Sequence, residues 1–260
     1  MNFLQSVILG VVEGVTEFLP ISSTGHLILT ARLLGLEQDH FLTSFEIAIQ
    51  LGAILSVVVL YWKQLLCSWK VASRVAAAFI PTAVLGLVFY KIIKKIMLNG
   101  EPVVLWTLFL GGIFMIVFER FYREKENSVE NLESITYKQA ALIGVFQSMA
   151  MVPGVSRAAA TICGGLLLGL KRRTIVEFSF LLAVPTMLAA TALDLLKNSE
   201  SFSQGQWGFL AAGFAVSFVT AILSIRWLLG WIRSHSFQAF GFYRMAAAAA
   251  FFFFVYSRTT

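Results

Sequence analysis

Long apolar runs alternate along the chain with a few short polar breaks. Crossing a ~30 Å hydrocarbon core takes about 20 mostly apolar helical residues, with ~17 as a practical lower limit. Runs of this order cover residues 45–62, 73–90, 103–118, 178–196, 207–225 and 237–256, and predict six membrane-spanning helices. Their apolar character runs all round rather than in stripes, as lipid-facing helices require. Pro81 and Pro185 fall inside two of them, which a bundle tolerates when neighbours satisfy the freed carbonyls. Other runs are too short or too polar to span. Residues 3–18 and 27–36 flank Pro20-Ile21-Ser22-Ser23-Thr24-Gly25-His26, while 139–152 and 158–170 flank Pro153-Gly154-Val155-Ser156-Arg157. Short apolar runs around a polar break predict two re-entrant helical hairpins. Irregular backbone is viable at membrane depth only inside protein or beside a water-filled cavity.

Residues 119–138 hold nine charges, five acidic and four basic, and read as a polar linker between halves 1–118 and 139–260 of one membrane domain. The halves repeat. Glu13 aligns with Gln147 and Ser22 with Ser156 at an offset of 134, while Phe45 aligns with Phe178 and Gly52 with Pro185 at 133. Broken helices in matching positions point to a midplane site at the repeat interface. Lys91, Lys94 and Lys95 precede the 103–118 run and Arg120, Arg123 and Lys125 follow it. Basic clusters at both ends of one span fix no orientation, and fit halves of opposite topology. The expectation is an all-α, polytopic integral membrane protein built as an inverted repeat.

Composition agrees. The hydrophobic set is 58% of 260 residues, and 19 Gly bring the apolar total near 65%, with only 13% charged. A soluble domain runs at roughly 45–50% and about 25%. A net charge of +6 then reads as basic residues at lipid headgroups rather than as a nucleic-acid surface. Cys67 and Cys163 are isolated and support neither a disulfide framework nor a zinc site. Met1 to Gly10 has no basic leader region, and Glu13 and Glu17 interrupt the run that follows, so it does not read as a cleavable signal peptide.

Glu13 and Glu17 are four apart, on one face of a helix. An acidic side chain at the bilayer centre costs roughly 2.5–3.5 kcal/mol, and a like charge beside it adds to that. A divalent cation would compensate, since Mg²⁺ binds one or two carboxylates together with substrate phosphate; Ca²⁺ takes the same oxygen ligands. A single protonated glutamate is the plainer alternative. Ser22, Ser23 and Thr24, with Gly25 and a helix start, form an anion site. One N-capping hydroxyl would account for only part of this stretch. His26 adds a candidate general acid or base, and a neighbouring serine a candidate nucleophile. In the second loop, Arg157 opens an apolar helix, and its planar fork suits phosphate. It could equally pair with a glutamate. Glu46 and Gln50, four apart on the first Phe-led run, either line the same cavity or hold helices together. Paired carboxylates, a hydroxyl-rich loop, a histidine and an arginine make a phosphate-and-metal constellation within a membrane, hence a lipid-borne substrate. A transporter would share the repeats and the broken helices. The acid-phosphatase type of lipid phosphatase needs His-x-x-x-Asp, and no histidine here has Asp four residues on.

Gly10-Val11-Val12-Glu13-Gly14-Val15-Thr16-Glu17-Phe18-Leu19-Pro20, continuing through Ile21-Ser22-Ser23-Thr24-Gly25-His26, resembles the first signature of the undecaprenyl-diphosphate phosphatase (bacitracin-resistance) family. Pro153-Gly154-Val155-Ser156-Arg157, with Thr161, resembles its second. The segments Phe45–Gly52 and Phe178–Pro185 are similar to further family segments. The resemblance implies a multi-pass enzyme of the bacterial inner membrane. It would act among membrane lipids on a polyprenyl diphosphate, removing the terminal phosphate to regenerate the carrier for cell-wall synthesis. It also implies an interdigitated inverted repeat with two re-entrant hairpins. By position, Glu13 and Glu17 match the acidic pair and candidate metal ligands, Ser23 the essential serine, His26 the loop histidine and Arg157 the phosphate-binding arginine. Ser22, Thr24, Gly25, Gln147, Gly154, Ser156 and Thr161 are the expected substrate-binding positions. Ala158 departs from the family pattern, which commonly has serine there, so one hydrogen bond to phosphate is expected to be missing. Two routes stay open: covalent attack by Ser23, or attack by water with Ser23 binding phosphate. A homodimer is allowed for, and no nucleic-acid partner is expected.

Overall fold

The computed structural model describes residues 1–37, 39–89, 100–197 and 206–256; Lys91, Lys94 and Lys95 lie outside them. Among the described residues ten α-helices follow one another: α1 (Phe3–Thr16), α2 (Ser23–Leu33), α3 (His40–Trp62, continued by a π-helical turn over Lys63–Cys67), α4 (Trp69–Val88), α5 (Gly100–Phe121), α6 (Tyr137–Ser148), α7 (Arg157–Leu167), α8 (Arg172–Lys197), α9 (Trp207–Trp231) and α10 (Gln238–Tyr256). Among the described residues there is no β-strand, only a parallel bridge between Val129 and Leu170. Five segments among the described residues are long and apolar enough to cross a membrane: Phe41–Cys67, Trp69–Val88, Pro102–Phe121, Arg172–Ala192 and Trp207–Trp231. The chain is a helical membrane protein.

Several helices run past the apolar windows that announced them, because polar end residues are satisfied by protein. α2 starts at Ser23 and α7 at Arg157, each one residue after a capping serine. α8 starts at Arg172 rather than 178, because Arg172 is forked onto Glu119, with Nη2 to Oε2 at 2.8 Å. Glu119 also accepts the Phe237 N–H at 3.2 Å. That carboxylate ties the end of α5 to the starts of α8 and α10.

α1 and α6 start alike. Asn2 and Gln5 exchange reciprocal backbone caps, as do Thr136 and Gln139, 134 residues on. The Gln5 amide then donates to the Leu34 carbonyl (3.2 Å), and the Gln139 amide to Leu168 (3.0 Å), so each short helix pair is closed end to end. α1 packs on α9 and α6 on α4. A Cβ on Gly10 or Gly144 would collide with the facing carbonyl of Gly213 or Ala78, and these glycines permit that approach. Further helix pairs are α3 with α9 and α5 with α10. The main core lies beneath both polar loops, where Phe18 meets Phe180 edge-on at 5.3 Å between centroids.

Candidate active site

Ser22 caps α2 and Ser156 caps α7, their hydroxyls accepting the N–H groups of Gly25 (3.3 Å) and Ala159 (3.2 Å). Both carry positive φ, 74° and 76°, and are the non-glycine residues that do so among the described residues. Such conformations cost about 1–3 kcal/mol each and persist only where the surroundings impose them. The two turns bring the residues that follow, Ser23 and Arg157, to first helical positions on opposite sides of one cavity.

This cavity has a volume of ≈ 250 Å³ and is lined by Glu17, Ser22, Ser23, Thr24, Gly154, Ser156 and Arg157, with Gln50, Ala150, Pro153, Met187 and Ala190 completing its wall. Inside it the polar groups form a chain. The Ser23 hydroxyl donates to Glu17 Oε2. Glu17 Oε1 accepts from Arg157 Nη2 at 3.2 Å, and Arg157 Nη1 donates to the Ser179 carbonyl at 2.8 Å. Arg157 Nε has no protein partner among the described residues. The Arg157 and Glu17 side chains are 12% and 5% exposed. Charges so far out of water hold their geometry only when paired.

Other expected site residues stand behind this lining. Thr161 Oγ1 contacts Ser179 Oγ at 2.6 Å, bracing the residue whose carbonyl holds Arg157. Gly25 spends its N–H on the Ser22 cap. His26 is turned away from the cavity: Nδ1 lies 2.7 Å from the Ser22 carbonyl and Nε2 2.9 Å from the Tyr243 hydroxyl, with the two rings stacked. Gln147 donates to the hydroxyls of Thr82 and Thr186, both at 3.0 Å. Glu13, one turn before Glu17, is 0% exposed, and neither carboxylate oxygen has a partner among the described residues. A buried carboxylate in that condition needs a proton or a cation.

The sequence reading missed Arg244. It is 1% exposed and sits behind both loops, where a charged residue inside an apolar helix was the available signal.

The family model for "Bacitracin resistance protein BacA" matches residues 6–250. The chain belongs to that family. It is 50% identical over 257 residues to the undecaprenyl-diphosphatase of Aquifex aeolicus, covering 98% of this chain and 100% of that protein. It is 51% identical over 245 residues to the one from Sulfurihydrogenibium sp. (94% and 96% covered), and 46% over 253 residues to that of Thermus thermophilus (96% of each). Both loops and all the residues named above fall within the stretch that the BacA-family model matches.

Proposed function

We infer that Ser23, Glu17 and Arg157 carry out the phosphatase reaction of this family in the cavity between the two loops. The chain is an undecaprenyl-diphosphate phosphatase, releasing undecaprenyl phosphate and inorganic phosphate. It thereby recycles the lipid carrier for peptidoglycan synthesis and confers bacitracin resistance. The observation that supports the assignment is the hydrogen-bonded chain from Ser23 through Glu17 to Arg157, a nucleophile, an acceptor for its proton and an orienting cation in sequence.

The terminal phosphate is held by Arg157, whose Nε has no protein partner among the described residues, and by the helix starts at Ser23 and Arg157. Ser22, Thr24 and Ser156 line the same space and bind its remaining oxygens. Ser23 Oγ attacks the terminal phosphorus as its proton passes to Glu17 Oε2. The new O–P bond forms as the bridging O–P bond breaks, and undecaprenyl phosphate leaves. Glu17 gives the serine proton to the departing bridging oxygen and then takes a proton from water as that water attacks the phosphoserine; the Ser23 Oγ–P bond breaks, phosphate departs, and Glu17 returns the proton to Ser23 Oγ. Both Glu17 oxygens are already engaged, so a divalent cation, Mg²⁺ or Ca²⁺, would rest chiefly on Glu13 and share Glu17. The orphaned Glu13 carboxylate fits such an ion. When bound, it supplies neutralisation of charge at the bridging oxygen.

The proposed setting is the bacterial inner membrane, with α10 as a sixth span and the α1–α2 and α6–α7 pairs as re-entrant hairpins of an inverted repeat. Their matched caps and length support this. Detergent-purified protein should release phosphate from a C55 diphosphate, and acid quenching during turnover should trap phosphate on Ser23. Chelation should stop the reaction and Mg²⁺ or Ca²⁺ restore it. Full turnover by Ser23→Ala would assign the attack to water, and full turnover in chelator would remove the cation.

A further inference from the structure

Arg244 lies in α10, outside both loops, and its guanidinium is spent on backbone carbonyls. Nη1 donates to Val155 (3.0 Å) and Pro20 (3.4 Å), Nη2 to Gly154 (2.9 Å) and Thr107 (3.0 Å), and Nε to Leu108 (3.4 Å). Among the described residues no carboxylate pairs with it. An intramembrane charge held without a counter-ion is expensive and marks a functional demand. Here the five carbonyls belong to both polar loops and to α5. The adjacent Tyr243 reaches the first loop as well, through its hydroxyl to His26 Nε2 (2.9 Å). Thr107 Oγ1 adds a bond to the Pro153 carbonyl at 2.6 Å. α5 makes room for the arginine, since a Cβ on Gly111 would collide with the Arg244 fork.

Two positive-φ serines need surroundings that impose their conformation. The carbonyls gripped by Arg244 lie just before them: Val155 is next to Ser156, and Pro20 is two residues before Ser22. A trans peptide carries its N–H opposite its carbonyl. Turning the Val155 carbonyl to Arg244 therefore turns the Ser156 N–H away from the guanidinium, and Ser156 lines the cavity.

We propose that Arg244, with Tyr243, is a positioning clamp that fixes the α1–α2 loop and the α6–α7 loop relative to each other, and so sets the reach between Ser23 and Arg157. This rests on the phosphatase reading above. His26 then belongs to the clamp, held between the Ser22 carbonyl and Tyr243.

The test uses the full chain in detergent, with steady-state phosphate release from a C55 diphosphate and hydrogen–deuterium exchange of peptides over residues 18–26 and 150–158. Arg244→Lys keeps the charge but not the fork. It should lower kcat by about a hundredfold, the scale of a ~1 Å misplacement, with KM little changed, and raise exchange in both loops together. Tyr243→Phe should raise exchange in the first loop alone. Should Arg244→Lys fail to fold, Gly111→Ala displaces the guanidinium without removing it and should give the same pair of changes. Wild-type kcat in a folded Arg244→Lys or Gly111→Ala protein overturns the clamp, whereas a wild-type chain that releases no phosphate overturns the phosphatase reading instead. In that event the exchange data decide: unchanged protection in both loops of Arg244→Lys overturns the clamp, and joint loss upholds it.

Discussion

The α1–α2 and α6–α7 segments are built to one plan and differ where chemistry enters. Both begin with reciprocal caps, close with a glutamine on the far carbonyl, and turn at a positive-φ serine. At the first helical position after the turn, one has Ser23 and the other Arg157. One turn and more before the break, one has Glu13 and the other Gln147. The second segment satisfies the donor side of its polar residue, while Gln147 Oε1 has no partner among the described residues. Thr82 and Thr186 each give their own proton to a carbonyl, Gly144 at 2.8 Å and Leu182 at 2.7 Å, and so accept from the Gln147 amide. The first segment differs. At the 133-residue register Thr186 corresponds to Ala53; in the packing that sets Gly213 against Gly10 as Ala78 against Gly144, Thr82 corresponds to Ser217, whose hydroxyl donates instead to the Ile49 carbonyl at 2.7 Å. One arm holds the arginine and anchors its buried amide through two donated bonds, and the other carries an acid with neither oxygen partnered among the described residues.

Breaking the link between the arms should have the largest effect. Glu17 is the only acid bonded to both Ser23 and Arg157 among the described residues. Glu17→Gln loses the proton acceptor and one end of the ion pair together. Turnover should fall by about 10²–10⁴-fold, the usual contribution of a positioned general base. The protein should still purify monodisperse. Near-normal phosphate release by this variant would place the proton acceptor elsewhere.

Making each arm resemble the other should separate activity from stability. Glu13→Gln removes a costly buried acid, so melting in detergent should stay level or rise while the response to added Mg²⁺ or Ca²⁺ disappears. Gln147→Glu does the opposite. Two hydroxyls that accept would then face a carboxylate with nothing to donate, and the expected loss is about 2.5–3.5 kcal/mol on the scale for an acid at helix centre. A Gln147→Glu protein that melts with the wild type would show that the two amide donations to Thr82 and Thr186 do not hold the second arm.

Much of this was legible in the chain. Hydropathy marked both broken helix pairs, and Ser22 and Ser156 marked their turns at a common offset. Of the expected site residues, Glu17, Ser22, Ser23, Thr24, Gly154, Ser156 and Arg157 line the cavity, whereas Glu13, Gly25, His26, Gln147 and Thr161 stand outside its lining. What the sequence could not carry was direction. His26 reads as acid–base chemistry, yet its ring is stacked on Tyr243, more than 200 residues away. Arg244 sits in a run that looks like any span with one basic residue, and only the tertiary fold brings five carbonyls to it. The polar stretch 119–138 reads as a linker by charge count, while Glu119 at its head belongs to the last turn of α5 and is buried against Arg172. Long-range pairings of this kind leave no period or spacing to read.

The smallest effect tests the feature that the two arms share. Ser156 serves its turn in two opposing ways: its hydroxyl caps α7, and its Cβ occupies a φ of 76° that side chains rarely adopt. Alanine there removes the cap and keeps the unfavourable φ, so Ser156→Ala should lose about 1 kcal/mol, the usual cost of an N-cap. Glycine gives up only a few tenths as a cap and relieves a backbone conformation worth about 1 kcal/mol or more. Ser156→Gly should therefore match or slightly exceed the wild type in detergent melting, and Ser22→Gly should do the same if the arms are equivalent. The ordering of alanine below glycine carries the argument at both positions. If alanine equals glycine, the positive φ costs nothing, and the turns do not need the imposed geometry that sets Ser23 opposite Arg157.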